Sequence, residues 1–399
     1  MRKYYKITPE GTKDFLFEEC TAVNKVSKIM DDVFASKGYN QVFTPSMEFF
    51  DTFALKHSGI SQEDMFILTD KKGRLMVLRP DSTLPIARMV ATRLQSEPLP
   101  LRLSYNQILY RNNRSLAGRS NEVRQAGMEL LGVSGKRADL ELITAAIEAM
   151  QKVVPDFRIE LGHAIFFRAL VNKLPISDYQ REEVRLSIES KNYSALNSIL
   201  DELEQTDTVT ALRKLPRLFG GEEVFEKAYP LFKGTEAEAA LYYLKEMYEA
   251  LSQIFMGDKL IVDLGLVQRN DYYSGIIFSG YVEGSGDAVL VGGRYDELLS
   301  EFQNPMPAAG FGINVHELAN MLLKKSVVKN DMSIDILVHG EDGFEMDAIN
   351  QARQLSMSGS RCEVSTFETQ IDAVVYAKKK NIPRVYIVSE TTNILDVDK

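Results

Sequence analysis

The stretch LRLSYNQILYRNNRSLAGRSNEVRQAGMELLG (Leu101–Gly132) decides the architecture. Two strand-like runs, LRLSYNQILYR and EVRQAGMELLG, flank the polar, turn-rich NNRSLAGRS, which predicts a long antiparallel hairpin. Side chains alternate across a strand, so Gln125, Gly127 and Glu129 share one face of the second run. Ala126, Met128 and Leu130 fall on the other, which reads as core. The first face sets an amide and a carboxylate on either side of a glycine that leaves room above the backbone. By periodicity alone it reads as readily as a solvated sheet face.

Upstream of the hairpin, Phe17–Lys37 carries apolar residues at helical spacing and is followed by Gly38, a helix-terminating glycine. YNQVFTP reads as a strand stopped by Pro45, and MFILTDKKGRLMVLRP as a hairpin turning at Asp70–Gly73. In LRPDST, Arg79, Asp81 and Thr83 project to one side if the segment is extended. A carboxylate and a hydroxyl placed so suit an ammonium group; a strand end turning at Pro80 is the plain alternative.

Downstream, a helix is expected over Ala138–Lys152. The stretch from about 166 to 255 is mostly helical in pattern, broken at Pro175, Pro216 and Pro230. Strands return at KLIVDLG, YYSGIIFSGYV and AVLVGGRYDEL, the last running into a helix. AAGFGINVHELANMLLKK then reads as a strand leading into another helix. Read as a strand, YYSGIIF puts Tyr273 and Gly275 opposite Tyr272, Ser274 and Ile276. Core packing of these tyrosines and of Tyr295 is as natural a reading as ligand contact. From Val328 the texture becomes a small βαβαβ unit. The fold class is therefore α+β: residues 1–325 form an antiparallel sheet flanked by helices with a helical insertion at about 166–255. Residues 328–399 form a separate C-terminal α/β domain.

Composition narrows the function. The chain has 399 residues, is 45% hydrophobic and carries a formal net charge of −9. That balance leans against nucleic acid as main partner, because gripping a phosphate backbone calls for a basic face. Two cysteines and four scattered histidines give no metal-ligand spacing. The first residues, MRKYYKITPEG, lack an apolar signal core and no run is long enough to span a membrane, so a cytoplasmic protein is expected.

Taken in order, LRPDST, YRNNRSLAGRSNEVRQAGMELLG, NDYYSGIIF, GGRYDEL and AAGFGINVHEL resemble the signature segments of histidyl-tRNA synthetase, a class II aminoacyl-tRNA synthetase. GYNQVFTPSMEFFD resembles the first class II motif, which implies a homodimeric core. The resemblance covers residues 8–320, and the C-terminal unit is similar to the family's anticodon-binding domain.

The resemblance implies a histidine pocket. Asp81, a methylene shorter than the family's glutamate, and Thr83 match the groups that meet the amino group. Arg111 matches the arginine facing the carboxylate, Gln125 and Glu129 the polar floor, and Tyr273 and Tyr295 the tyrosines near the imidazole, with Tyr272 beside them. Of the residues of activation, Arg111 also matches the phosphate-binding arginine early in the second motif, but the others depart from the family. Asn113 stands for a glutamate, Asn121 for an arginine (with Arg119 close by), Gln268 for the catalytic arginine, and Asn314–Glu317 for a segment ending in a nucleotide-binding arginine.

LRPDSTLPIAR and DYYSGIIFSGY look more like a paralogous family, the regulatory subunits of the short-form, hetero-oligomeric ATP phosphoribosyltransferase. That likeness implies a chain with no catalytic residue, cofactor, metal or tRNA of its own. It would pair with the short-form ATP phosphoribosyltransferase catalytic subunit and take histidine as feedback effector in the first step of histidine biosynthesis. One alternative is an active, diverged synthetase using Arg114, Arg119 and Arg269. Another is an amino-acid or tRNA-like-structure binding regulator with a different partner.

Overall fold

The structure, a computed structural model, describes residues 4–55, 59–113, 120–255, 259–267, 272–325 and 333–397. The chain divides into two compact units, Met1–Val327 and Val328–Lys399.

The first unit opens with helix α1 (Glu18–Ser36), which buries Ala22, Val26, Met30, Val33 and Phe34 along one stripe. It stops where Gly38 takes a φ of 78°, a left-handed conformation that costs a glycine nothing. The expected strand after it is short. Only β1 (Asn40–Gln41) joins the sheet, well before Pro45. Strands β2 (Met47–Phe49), β3 (Ile67–Thr69) and β4 (Leu75–Leu78) form a small antiparallel sheet. The β3–β4 turn is held by Asp70, whose Oδ1 accepts from the backbone N–H groups of Lys72 and Arg74.

Helix α2 (Thr83–Arg93) follows, then the long hairpin β5 (Leu101–Tyr110) and β6 (Glu122–Leu131). After helix α3 (Lys136–Val153) comes β7 (Phe157–His163), a strand the sequence reading passed over. The insertion contains α4 (Ile165–Val171), α5 (Asp178–Glu189), α6 (Tyr193–Asp201), α7 (Asp207–Lys214), β8 (Phe219–Gly220), α8 (Glu223–Phe232) and α9 (Glu238–Ser252). It is not wholly helical, since β8 adds an edge strand to the main sheet. Pro175 and Pro216 do separate helices, but Pro230 lies inside α8. Proline removes one bond, to the carbonyl of exposed Glu226, and the helix ends two residues on, so no break results.

Strands β9 (Leu260–Asp263), β10 (Ile276–Val282), β11 (Leu290–Arg294) and β12 (Ala308–Asn314) complete the main sheet before helix α10 (Val315–Lys324). A short 3₁₀ turn, Leu298–Phe302, replaces the helix expected after β11. The strand order is β1-β5-β6-β12-β11-β10-β7-β9-β8, antiparallel except for β1 on β5 and β7 on β9. One face is core: Phe311 meets Phe34 of α1 edge-on, and Ala126, Met128 and Leu130 are buried with it. The opposite face carries Gln125, Gly127 and Glu129.

The second unit orders its strands β14-β13-β15-β16, with β13 (Ile336–Gly340), β14 (Cys362–Val364) and β15 (Arg384–Val388) parallel and β16 (Thr392–Asp396) antiparallel. Helix α11 (Glu345–Met357) packs with Ile336 and Val338 on one face. Helix α12 (Gln370–Lys380) packs with Leu337 and Val385 on the other.

Candidate functional site

Register places the site. Glu129 of β6 lies between Leu103 of β5 and Gly310 of β12, and Gly127 lies between Tyr105 and Gly312. A Cβ on Gly310 would collide with the Glu129 carboxylate, and one on Gly312 with the Gln125 amide. Two glycines on the neighbouring strand thus make the space these side chains occupy.

Glu129 is 1% exposed, so its face of β6 is interior rather than solvated. One carboxylate oxygen accepts from the Thr83 hydroxyl at 2.8 Å and the other from the Tyr295 hydroxyl. Burial pushes its pKa up to about 8, against those two hydrogen bonds and with the Asp81 charge adding to the rise. Asp81, 7% exposed, is also raised by burial, opposed by the Leu84 N–H and the charge of Arg111. The site therefore concentrates two buried acids. Neither makes an ion pair among the described residues, and their ionised forms would be favoured by an incoming cation.

Of residues 78–83 only Leu78 is strand, the end of β4, so the extended reading fails and the alternative of a strand end turning at Pro80 holds. Ser82 has helical dihedrals and Thr83 begins α2, because the Asp81 carboxylate accepts from the Leu84 N–H and satisfies one of the helix's free donors. Arg79 consequently turns away from Asp81 and Thr83. Its guanidinium donates to the carbonyls of Thr44, Pro45 and Ile108, tying three segments together. The tyrosines depart from the strand reading too, since β10 begins only at Ile276. Tyr272 and Tyr273 lie in the preceding turn, both buried, with ring centroids 4.9 Å apart. Tyr272 also meets Tyr295 edge-on at 5.6 Å.

Asp81, Thr83, Glu129, Tyr272, Tyr273 and Tyr295 thus come together. Gln125 continues the same face two pleats along, and its amide oxygen accepts from the Tyr105 hydroxyl at 2.9 Å. Arg111 stands at the exposed rim, its Nε donating to the Pro80 carbonyl at 3.1 Å. Tyr105, Gly310 and Gly312 escaped the sequence reading. The alternation Leu101, Leu103, Tyr105 was visible, but only the hairpin register sets Tyr105 over Gly127.

The opposite end of β6 is different. Asn121 donates from Nδ2 to the Glu10 carbonyl at 3.0 Å and accepts from the Asn113 N–H at 3.0 Å. His316 stacks on Phe15 at 4.6 Å, and burial, helped by Arg124, lowers its pKa to about 4, so it is uncharged near neutrality. Glu317 lies in the first turn of α10 with its N–H donated to Asn314. Gln268, Arg114, Arg119 and Arg269 lie outside the described residues. Among the described residues no group of three or more acidic, histidine or cysteine side chains is arranged to hold a metal. No described helix is long and apolar enough to cross a membrane.

The chain is similar to known proteins over nearly its whole length. A family model described as histidyl-tRNA synthetase matches residues 11–318. An ATP phosphoribosyltransferase regulatory subunit of Bacillus mycoides is 39% identical over 96% of this chain and 92% of its own length. One from Bacillus thuringiensis subsp. konkukian is 38% identical with the same coverage. A solved structure described as an ATP phosphoribosyltransferase regulatory subunit/histidyl-tRNA synthetase from Bacillus halodurans C superposes with a TM-score of 0.83 at 29% identity, covering 96% of this chain and 98% of that one. Histidyl-tRNA synthetase from Nostoc shares the fold, with a TM-score of 0.77 at 19% identity over 99% of this chain and 95% of that one. The architecture is the class II synthetase fold.

Proposed function

This chain belongs to the family of ATP phosphoribosyltransferase regulatory subunits, and from that premise we propose that it supports a short-form catalytic subunit and senses histidine without activating it. The observation that carries this reading is Glu129, buried and held by Thr83 and Tyr295 beside a second buried acid, Asp81. Two buried acids that make no ion pair among the described residues suit an amino acid whose ammonium supplies a charge beside them. In this reading Asp81 and Thr83 receive the ammonium and Arg111 faces the carboxylate from the rim. Gln125 and Glu129 form the floor, while Tyr273 and Tyr295 flank the imidazole with Tyr272 beside them.

In this reading activation is lost at the other end of the strand. Adenylation needs cations where charge develops on the α-phosphate, and each such contact is worth about 2.7–4 kcal/mol. Asn113, Asn121, uncharged His316 and acidic Glu317 supply none, and the sequence adds Gln268. The chain is a regulator, with histidine binding favouring an inhibited state of the hetero-complex; by linkage that state binds histidine more tightly. A cytoplasmic setting suits this role.

Support for a homodimeric core comes from the exposed apolar side chains Phe43, Met47, Phe49 and Leu75 in and beside the small β2–β4 sheet. Independence from tRNA fits a C-terminal unit whose acidic residues outnumber its basic ones. The test is phosphoribosyl-ATP synthesis by a short catalytic subunit with and without this chain, across a histidine titration. The reading expects activity only with this chain and its loss as histidine rises. Full activity without the chain, or no response to histidine in its presence, overturns it.

A further inference from the structure

We infer that Arg294 is a positioning residue for the pocket and that its network ties pocket occupancy to helix α9 of the insertion; this rests on the histidine-binding reading above. Arg294, 6% exposed, ends β11 immediately before Tyr295, whose hydroxyl holds Glu129. Its Nε donates to Asp139 Oδ1 at 3.0 Å, and its Nη2 donates to the same carboxylate. Its Nη1 donates to Asp296 Oδ1 at 2.8 Å and to the Val133 carbonyl at 3.3 Å.

Both carboxylates are themselves committed. Asp296 Oδ1 also accepts from the Ala308 N–H of β12 at 3.1 Å, while the Asp296 N–H donates to the Ser274 hydroxyl at 2.9 Å. The Ser274 N–H in turn donates to the Arg294 carbonyl at 2.7 Å. The 294–296 segment, anchored by one buried cation, therefore holds residues 272–274 through its backbone and carries Tyr295 itself. The second oxygen of Asp139, in the first turn of α3, accepts from the hydroxyl of Tyr243 on α9. Burial and the Asp139 carboxylate raise the Tyr243 phenol, which keeps it a donor.

A continuous path thus runs from Glu129 through Tyr295, Arg294 and Asp139 to α9. A buried ion pair with its hydrogen bonds filled resists partial displacement, because uncovering either charge is costly. A ligand that moves or stiffens Tyr295 is then felt at Tyr243 rather than absorbed beside the pocket. A path through space is not yet a coupling, so the test measures coupling.

Hydrogen exchange of the full chain, with and without saturating histidine, is followed in wild type and in Tyr243→Phe, which removes only the hydroxyl. In wild type, histidine is expected to slow exchange in β6, in residues 272–276 and in α9. In Tyr243→Phe, β6 and 272–276 remain protected, α9 does not, and histidine binds about fivefold more weakly. Equal protection of α9 in both proteins, or none in wild type while β6 is protected, overturns the inference and leaves histidine binding standing. No protection in any segment overturns the histidine reading and this inference with it.

Discussion

The two ends of strand β6 carry opposite chemistry. At Glu129 the strand faces a buried set of acids, hydroxyls and aromatic rings cleared by glycines on the neighbouring strand. At Glu122 it faces asparagines, an uncharged histidine and the chain's own N-terminal residues. The first end holds two buried acids that make no ion pair among the described residues; the second already fills its hydrogen bonds from within, with Glu10 and Gly11, and sets His316 against Phe15. In the proposed reading, recognition and activation in a synthetase-type fold are separable along one strand.

The largest effect expected of this contrast lies at the activation end. If the proposed reading holds, histidine-dependent ATP–pyrophosphate exchange should fall at least about 10⁴-fold below that of a synthetase, since Asn113, Asn121 and Glu317 supply no positive charge. Glu317→Arg alone should not restore it, because Asn113 and Asn121 still supply no charge. Measurable exchange by the purified chain would erase the distinction between the ends.

Next in size is the recognition end. Glu129→Gln keeps the shape and removes the capacity to ionise beside a cationic ligand. Histidine affinity should drop roughly 10- to 150-fold, the worth of about 1.5–3 kcal/mol for a hydrogen bond to a charged group, as read by calorimetry. The same variant has a sign-specific effect on stability. Glu129 has a folded pKa of about 8 against an ordinary 4.5, so the folded chain holds the extra proton between those values. Wild-type stability should fall as pH rises through that window and level off above it. In Glu129→Gln this contribution to the slope disappears; an unchanged slope would mean Glu129 is not the buried acid described.

Gly310→Ala sharpens the same end sterically. Its methyl would occupy the Glu129 carboxylate's place, which should cost about 1–3 kcal/mol of stability in denaturant titration and weaken histidine binding. The smallest effect belongs to Phe15→Ala, which removes the ring against His316 and should cost about 0.5–1.5 kcal/mol beyond lost burial. Histidine affinity should stay as it was. If it moved, the two ends would not be independent.

Much of this contrast is legible in sequence because it rests on short-range rules. The 101–132 hairpin and α1 with its glycine stop follow from alternation, helical spacing and turn chemistry. What escaped depends on pairing. Strand β7 is the exception, since Phe157, Ile159 and Leu161 alternate with Arg158 and Glu160 and the pattern was there to be read. Thr83 opens a helix because Asp81 accepts from the Leu84 N–H, and Pro85, in the first turn, does not oppose it. Tyr105 and the glycines of β12 matter only once register sets them beside Gln125 and Glu129.

The central claim is that the pocket kept recognition. Calorimetric titration of histidine into the purified chain tests it most directly. Saturable binding in wild type, weakened at least about tenfold in Glu129→Gln, is the expected result. Absence of binding, or equal affinity in the two proteins, would contradict it.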